Sequence, residues 1–237
     1  MNERSRMSWI LSVILISFAT LSLAQPRPAL EPLIRSLAGT QTYGEVAISP
    51  DGTRVAWSQA VHDSSGVATG DSAIYVADVA SPAARRRITA GSEGNNYAER
   101  DVAWSPDGKQ LAFVSDRLGK PQIFIMTPDG QNLRRLTTNG AYNVSPRWSP
   151  NGDRIVYARQ TAEGFQIFAI NPDGSGDAQL TFAGSNEHPR WSPDGRFITF
   201  SSNRSGKSAI YVMRADGSGQ TEVMRGTSNN THPAWSP

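Results

Sequence analysis

Short runs in which apolar residues alternate with polar or small ones recur along the chain, as in Arg154-Ile155-Val156-Tyr157 and Gln166-Ile167-Phe168-Ala169-Ile170. A period of two predicts half-buried β-strands. Between the runs stand turn sequences of one kind. Ser49-Pro50-Asp51-Gly52 recurs as Ser105-Pro106-Asp107-Gly108, Ser149-Pro150-Asn151-Gly152 and Ser192-Pro193-Asp194-Gly195, and Ser236-Pro237 begins a fifth copy. Each residue of the turn has a physical task. Proline pre-sets φ, Asp or Asn bonds its own backbone, and glycine takes the φ > 0 that other residues resist.

The copies start 56, 44, 43 and 44 residues apart, a period that suits four-stranded propeller blades of roughly 40–45 residues. The rest of each unit repeats in step. Trp104, Trp148, Trp191 and Trp235 precede the turns, with Ile48 in their place in the first copy. An aromatic follows each turn serine by eight residues (Trp57, Phe113, Tyr157, Phe200), and the pairs Ile123-Phe124, Ile167-Phe168 and Ile210-Tyr211 lie further on. Ile74-Tyr75 comes seven residues later in its own unit than those pairs do in theirs. Leu136-Thr137, Leu180-Thr181 and Ile88-Thr89 close three units, and Val223-Met224 stands there in the fourth. A second turn, as in Pro128-Asp129-Gly130, falls between the third and fourth predicted strands. The expected fold is an all-β propeller of four four-stranded blades, starting near residues 45, 101, 145 and 188. The first strand of a fifth blade follows from residue 231, which makes an incomplete propeller. An open arc of blades exposes apolar faces and strand edges, so the chain on its own is expected to be marginal or aggregation-prone.

Residues 1–24 have the form of a signal peptide. Arg4 and Arg6 precede an apolar run from Trp9 to Ala19, and Ser22-Leu23-Ala24 offers a cleavage site ahead of Gln25. The run is shorter than the ~20 residues of a spanning helix, so no stable membrane insertion is expected after cleavage. Residues 25–44 are a lead-in, and residues 45–237 carry the repeats. The expected location is exported, periplasmic or secreted. No cysteine is present, which excludes disulfides and thiolate metal sites. Loss of Arg4, Arg6 and Glu3 with the leader takes the net charge from +2 to +1, which gives no reason to expect nucleic acid as a partner.

His188-Pro189-Arg190-Trp191-Ser192-Pro193-Asp194-Gly195, Ser202-Asn203-Arg204 and Ile210-Tyr211-Val212-Met213-Arg214-Ala215-Asp216-Gly217 resemble the propeller of the TolB family. So does Ser115-Asp116-Arg117 followed by Gln122-Ile123-Phe124-Ile125-Met126. The resemblance covers about Tyr43 to Pro237. It implies a periplasmic propeller of the Tol-Pal envelope system that binds a protein or peptide. Members of that family carry an α/β domain ahead of the propeller, which the short lead-in does not accommodate. The repeats are also similar to those of the prolyl oligopeptidase family, in which a propeller precedes an α/β-hydrolase domain. The longer first unit and the short lead-in fit that family better. Under that alternative the chain is the substrate-gating propeller of an exported serine peptidase whose hydrolase domain lies outside it.

No Gly-x-Ser-x-Gly nucleophile elbow occurs, so catalysis by this chain is not expected. Gly206-Lys207-Ser208 lacks the first glycine of a phosphate loop and lies between predicted strands, which makes it a hairpin loop. The stretch from Asn171 to Asp177 lacks calcium-loop spacing and reads as a repeated turn. Arg85-Arg86-Arg87 reads as a solvated strand edge. No cofactor or metal is expected, since His188 and His232 have no third ligand by spacing.

One set of polar residues recurs where each unit enters its innermost strand. His188 and His232 lie three residues before their tryptophans, with Asp101 and Ser145 as counterparts. Asn143, Asn186 and Asn230 come two residues earlier, and Arg147 and Arg190 directly precede two of the tryptophans. This set is either a rim of the central channel that binds a peptide or partner loop, or a set of groups that satisfies bonds between blades.

Overall fold

In the computed structural model, residues 43–89, 97–224 and 229–236 are described. The leader and nearly all of the lead-in lie outside them. Four sheets of four antiparallel strands follow one another. The first holds β1 (Tyr43–Ile48), β2 (Arg54–His62), β3 (Ala68–Asp78) and β4 (Arg86–Arg87). The second holds β5 (Glu99–Trp104), β6 (Leu111–Ser115), β7 (Gln122–Met126) and β8 (Arg134–Arg135). The third holds β9 (Asn143–Trp148), β10 (Ile155–Thr161), β11 (Gly164–Ile170) and β12 (Ala178–Gln179). The fourth holds β13 (Asn186–Trp191), β14 (Phe197–Ser202), β15 (Ala209–Arg214) and β16 (Thr221–Met224). In each sheet the strands lie in chain order, which is the meander of a propeller blade. The seven extra residues of the first unit lengthen the β2–β3 hairpin.

Sequence alternation suggests strands with one wet face. The middle strands depart from that. Every residue of β6 and β7 is buried, because the second sheet is packed between the first and the third. Layers of core form between consecutive sheets: Val76, Trp104 and Phe113 between the first and second, Ile125, Leu136 and Tyr157 between the second and third, Val156, Leu180 and Phe200 between the third and fourth. The predicted aromatics pair across β2–β3 and its equivalents. Trp57 faces Tyr75, Phe113 faces Phe124, Tyr157 faces Phe168 and Phe200 faces Tyr211, with ring centroids 5.8–6.0 Å apart. Full burial of one such ring contributes about 1.5–3 kcal/mol.

The repeated turns close in the same way. Ser192 Oγ donates to Asp194 Oδ1 at 2.6 Å and accepts from the Phe197 amide at 2.9 Å, while the Gly195 amide donates to the Ser192 carbonyl. Asn151 cannot supply the carboxylate in the third copy, and Asp153 does so instead, accepting from Ser149 Oγ at 2.6 Å. The second turn needs glycine for a different reason. A Cβ on Gly130 would lie 2.5 Å from the Ile88 carbonyl oxygen of the preceding blade. Arg86 spans the same junction, donating to the Asp129 and Pro128 carbonyls at 3.1 and 3.2 Å. The basic run is therefore exposed, as expected, but it also grips the next blade.

The fifth copy follows the inner-strand path without a paired strand. His232 has φ 59°, like its counterparts, and Trp235 Nε1 donates to the Arg190 carbonyl at 3.3 Å. No strand is assigned to residues 229–236, since a ladder needs a neighbouring strand and the described residues supply none there.

Candidate functional site at the channel mouth

Each innermost strand of the second, third and fourth blades carries a bulge. Register with the partner strand slips between Arg100 and Ala103, between Val144 and Arg147, and between Glu187 and Arg190. At those bulges Asp101, Ser145 and His188 take φ of 55°, 57° and 56°. A non-glycine residue in this left-handed region is uncommon, and a bulge re-aims the side chain it displaces. Here the displaced side chains of successive blades meet. Asp101 Oδ2 accepts from the Ser145 amide at 3.0 Å and lies 3.4 Å from its hydroxyl. His188 and His232 meet with ring centroids 3.7 Å apart and planes tilted by 34°.

Alignment of the repeats on their tryptophans puts Glu45, three residues before Ile48, at the position of Asp101, Ser145 and His188. Sequence reasoning passed over Glu45, and this alignment was the signal that could have found it. Its carboxylate forms an ion pair with Arg147 of the third blade and lies 3.5 Å from Arg190 of the fourth. Contacts from the first blade to the third and fourth bridge the interior of the arc. Both arginines are fixed from behind, because Trp191 Nε1 donates to the Arg147 carbonyl at 3.2 Å and Trp235 Nε1 to that of Arg190. Burial, followed by the neighbouring Arg147, pushes the Arg190 pKa down to about 10.

His188 is pushed down to about 4, first by burial and then by the adjacent His232, Arg190 and Arg147, with Asp101 opposing. The ring is therefore neutral at physiological pH. Its Nδ1 lies 3.2 Å from Ser201 Oγ, but that hydroxyl is buried and donates to the Glu187 carbonyl at 3.0 Å. The contact orients the imidazole. Among the described residues no group of three or more His, Asp or Glu side chains could hold a metal ion.

The asparagines stand apart from this cluster. Asn143 and Asn186 are fully buried. Asn143 donates to Gln122 Oε1 at 2.8 Å and to the Asn139 carbonyl at 3.0 Å, and accepts from Arg159 Nε at 2.9 Å. Asn186 repeats the arrangement with Gln166 and Arg204. Arg117, Arg159 and Arg204 lie over the aromatic pairs of their blades, as with Arg159 at 4.0 Å from the Phe168 ring centroid. Asn230 has Ala209 where its counterparts have glutamine, and its Nδ2 has no partner. Thus Asp101, Arg147, Arg190, His188 and His232 gather with Glu45, while Asn143 and Asn186 join blade to blade.

Blades built from tandem Ser-Pro-Asp-Gly units, with polar side chains of several blades converging where the innermost strands begin, define a β-propeller. The chain belongs to the TolB beta propeller domain family, whose sequence profile matches residues 36–237. It is 51% identical over 35 residues to the Tol-Pal system protein TolB of Syntrophus aciditrophicus (strain SB), covering 15% of this chain and 8% of that protein. It is 36% identical over 94 residues to the uncharacterized peptidase YuxL of Bacillus subtilis (strain 168), covering 38% of this chain and 13% of that protein. The matches therefore span a small part of either relative. The crystal structure of TolB from Acinetobacter baumannii superposes with a TM-score of 0.66 at 24% identity, over 80% of this chain and 45% of that one.

Proposed function

We propose that this chain is the propeller of an exported, non-catalytic binding protein that takes a protein or peptide segment at the mouth of its channel. The observation that carries this reading is the cluster of Glu45, Arg147, Arg190, His188 and His232. The equivalent position in the five copies holds two carboxylates, a hydroxyl and two imidazoles (Glu45, Asp101, Ser145, His188 and His232), whereas groups that serve only the repeat, such as the turn serines, stay the same. Recognition of this kind works through shape and directed polar contacts, with no bond made or broken. The leader-like residues 1–24 support export, and among the described residues no helix is long and apolar enough to cross a membrane. Pull-down from envelope extract tests the reading. The wild-type chain is expected to retain a protein that a variant carrying Arg147→Ala and Arg190→Ala loses. Recovery of nothing at any salt concentration, or equal recovery by both, would count against it.

The likeness to YuxL favours a second reading, in which the propeller gates access to a peptidase domain. The coding sequence downstream of Pro237 separates the two. A Gly-x-Ser-x-Gly segment on a strand-to-helix turn there would establish the peptidase.

A further inference from the structure

We propose that Arg147 and Arg190 form a carboxylate-binding site at the channel mouth, and that Glu45 occupies it as an internal substitute for a carboxylate of the bound peptide. This rests on the reading of the mouth as a binding site and names the chemistry it selects.

The position just before the tryptophan supplies the first argument. It holds Ala47, Ala103 and Ala234 in three copies and arginine only in the two adjacent ones. The repeat folds with alanine there, so the arginines are not needed to build a blade. Their geometry supplies the second. They come from neighbouring inner strands, each held by the next tryptophan, and both guanidinium groups point at a single carboxylate. A planar guanidinium prefers two parallel bonds to a carboxylate.

That preference is not met at Arg190. Its contacts are the Pro189 carbonyl at 3.3 Å and Glu45 at 3.5 Å, both long. Its side chain is 27% exposed, so the donors these long contacts leave over are open to an incoming carboxylate. The other nearby acid, Asp101, is already engaged by the Ser145 amide. Two arginines thus share one carboxylate where there is donor capacity for a second, or for a better-placed one. Glu45 is the most accessible of the three side chains, at 33%, and can be displaced from the open side. A tethered carboxylate competes at high effective concentration, so the wild-type mouth is partly self-occupied.

Three pentapeptide probes test this against the 237-residue chain by NMR, reading the Nε–Hε signals of Arg147 and Arg190. They are Gly-Ala-Glu-Ala-Gly amide, Gly-Ala-Gln-Ala-Gly amide and Gly-Ala-Gln-Ala-Gly with a free C-terminus. The carboxylate-bearing peptides are expected to shift both signals and the uncharged amide to shift neither. The arm that binds tells whether a side chain or a C-terminus is preferred. Glu45→Gln is expected to tighten binding of the acidic probe at least tenfold, and the double variant Arg147→Gln/Arg190→Gln to abolish it. Equal binding of all three peptides would overturn the carboxylate assignment while leaving a peptide-binding mouth in place. Absence of shifts with every probe, in the wild type as well as in Glu45→Gln, would overturn it too. Should Glu45→Gln prove unstable, absence of shifts in the wild type alone, at peptide concentrations raised to outcompete Glu45, overturns the assignment. Partner recovery that is indifferent to the arginines, in the pull-down above, would instead reject the mouth as the site.

Discussion

The indole nitrogen of Trp191 donates to the carbonyl oxygen of Arg147 at 3.2 Å, so the tryptophan of one blade pins the arginine-bearing strand of the blade before it. The same bond joins Trp104 to Ala47 at 3.1 Å. Trp104, Trp191 and Trp235, which look in sequence like core aromatics, are thus also joints between inner strands, whereas the Trp148 indole nitrogen has no partner.

Trp104 separates the two contributions cleanly, since it is nearly buried. Trp104→Phe keeps most of the apolar packing and removes the donor, and is expected to cost about 1 kcal/mol. Trp104→Ala also opens a cavity and is expected to cost about 3–5 kcal/mol. Urea denaturation of both variants checks the order and the gap between them.

Asn143 and Asn230 occupy equivalent positions and should respond differently. Asn143→Ala removes the acceptor of Arg159 Nε and the donor to the Asn139 carbonyl, while Gln122 Oε1 keeps Thr137, at about 1–3 kcal/mol for a buried polar group left unpaired. Asn230 Nδ2 is buried without a partner, so Asn230→Ala removes an unsatisfied donor and is expected to be neutral or stabilising by up to about 1 kcal/mol. Paired thermal melts would show whether the contrast holds.

Protonation of His188 opposes folding. Its folded pKa of about 4 lies below the ordinary 6.5, so between those values the unfolded chain binds more protons. Stability should therefore fall as pH drops from about 6.5 to about 4 and level off below, as far as this group is concerned. In His188→Gln that slope should be reduced. Denaturation midpoints measured across this range, beside an NMR titration of the imidazole, provide the check.

The turn aspartates act in a lower window. Serine hydroxyls, followed by backbone amides, hold Asp51 and Asp194 at about 2, against an ordinary 3.8. Their contribution is present above pH 4 and is lost as pH falls toward 2. Ser192→Ala removes the largest cause at Asp194 and should raise its pKa toward the ordinary value. If carboxyl titration by NMR left Asp194 unchanged in that variant, the hydroxyl would not be the cause.

Much of the propeller could be read directly. The Ser-Pro-Asp-Gly turns, the tryptophans before them and the aromatic positions locate the first three strands of every described blade, because turn chemistry and period-two alternation are local properties of the chain; three outer strands fall at Arg86–Arg87, Arg134–Arg135 and Ala178–Gln179, just before the Ile-Thr and Leu-Thr pairs expected to form them. The burial of the middle strands could not be read this way. Phe113 and Tyr157 look half-buried in their own strands, and only stacking of neighbouring blades covers both faces.

The candidate site divides along the same line. Repetition in the sequence marked Asp101, His188, Arg190 and the asparagines as polar positions entering the inner strand, but it could not say which of them face one another. That was decided by the bulges, which turn Asp101, Ser145 and His188 aside, and by curvature of the arc, which brings Glu45 to arginines 102 and 145 residues away. Turns and strands are fixed by neighbours a few residues apart, so the sequence alone determines them. A site assembled across the axis depends on the summed angles between blades, and those exist only once the sheets have packed.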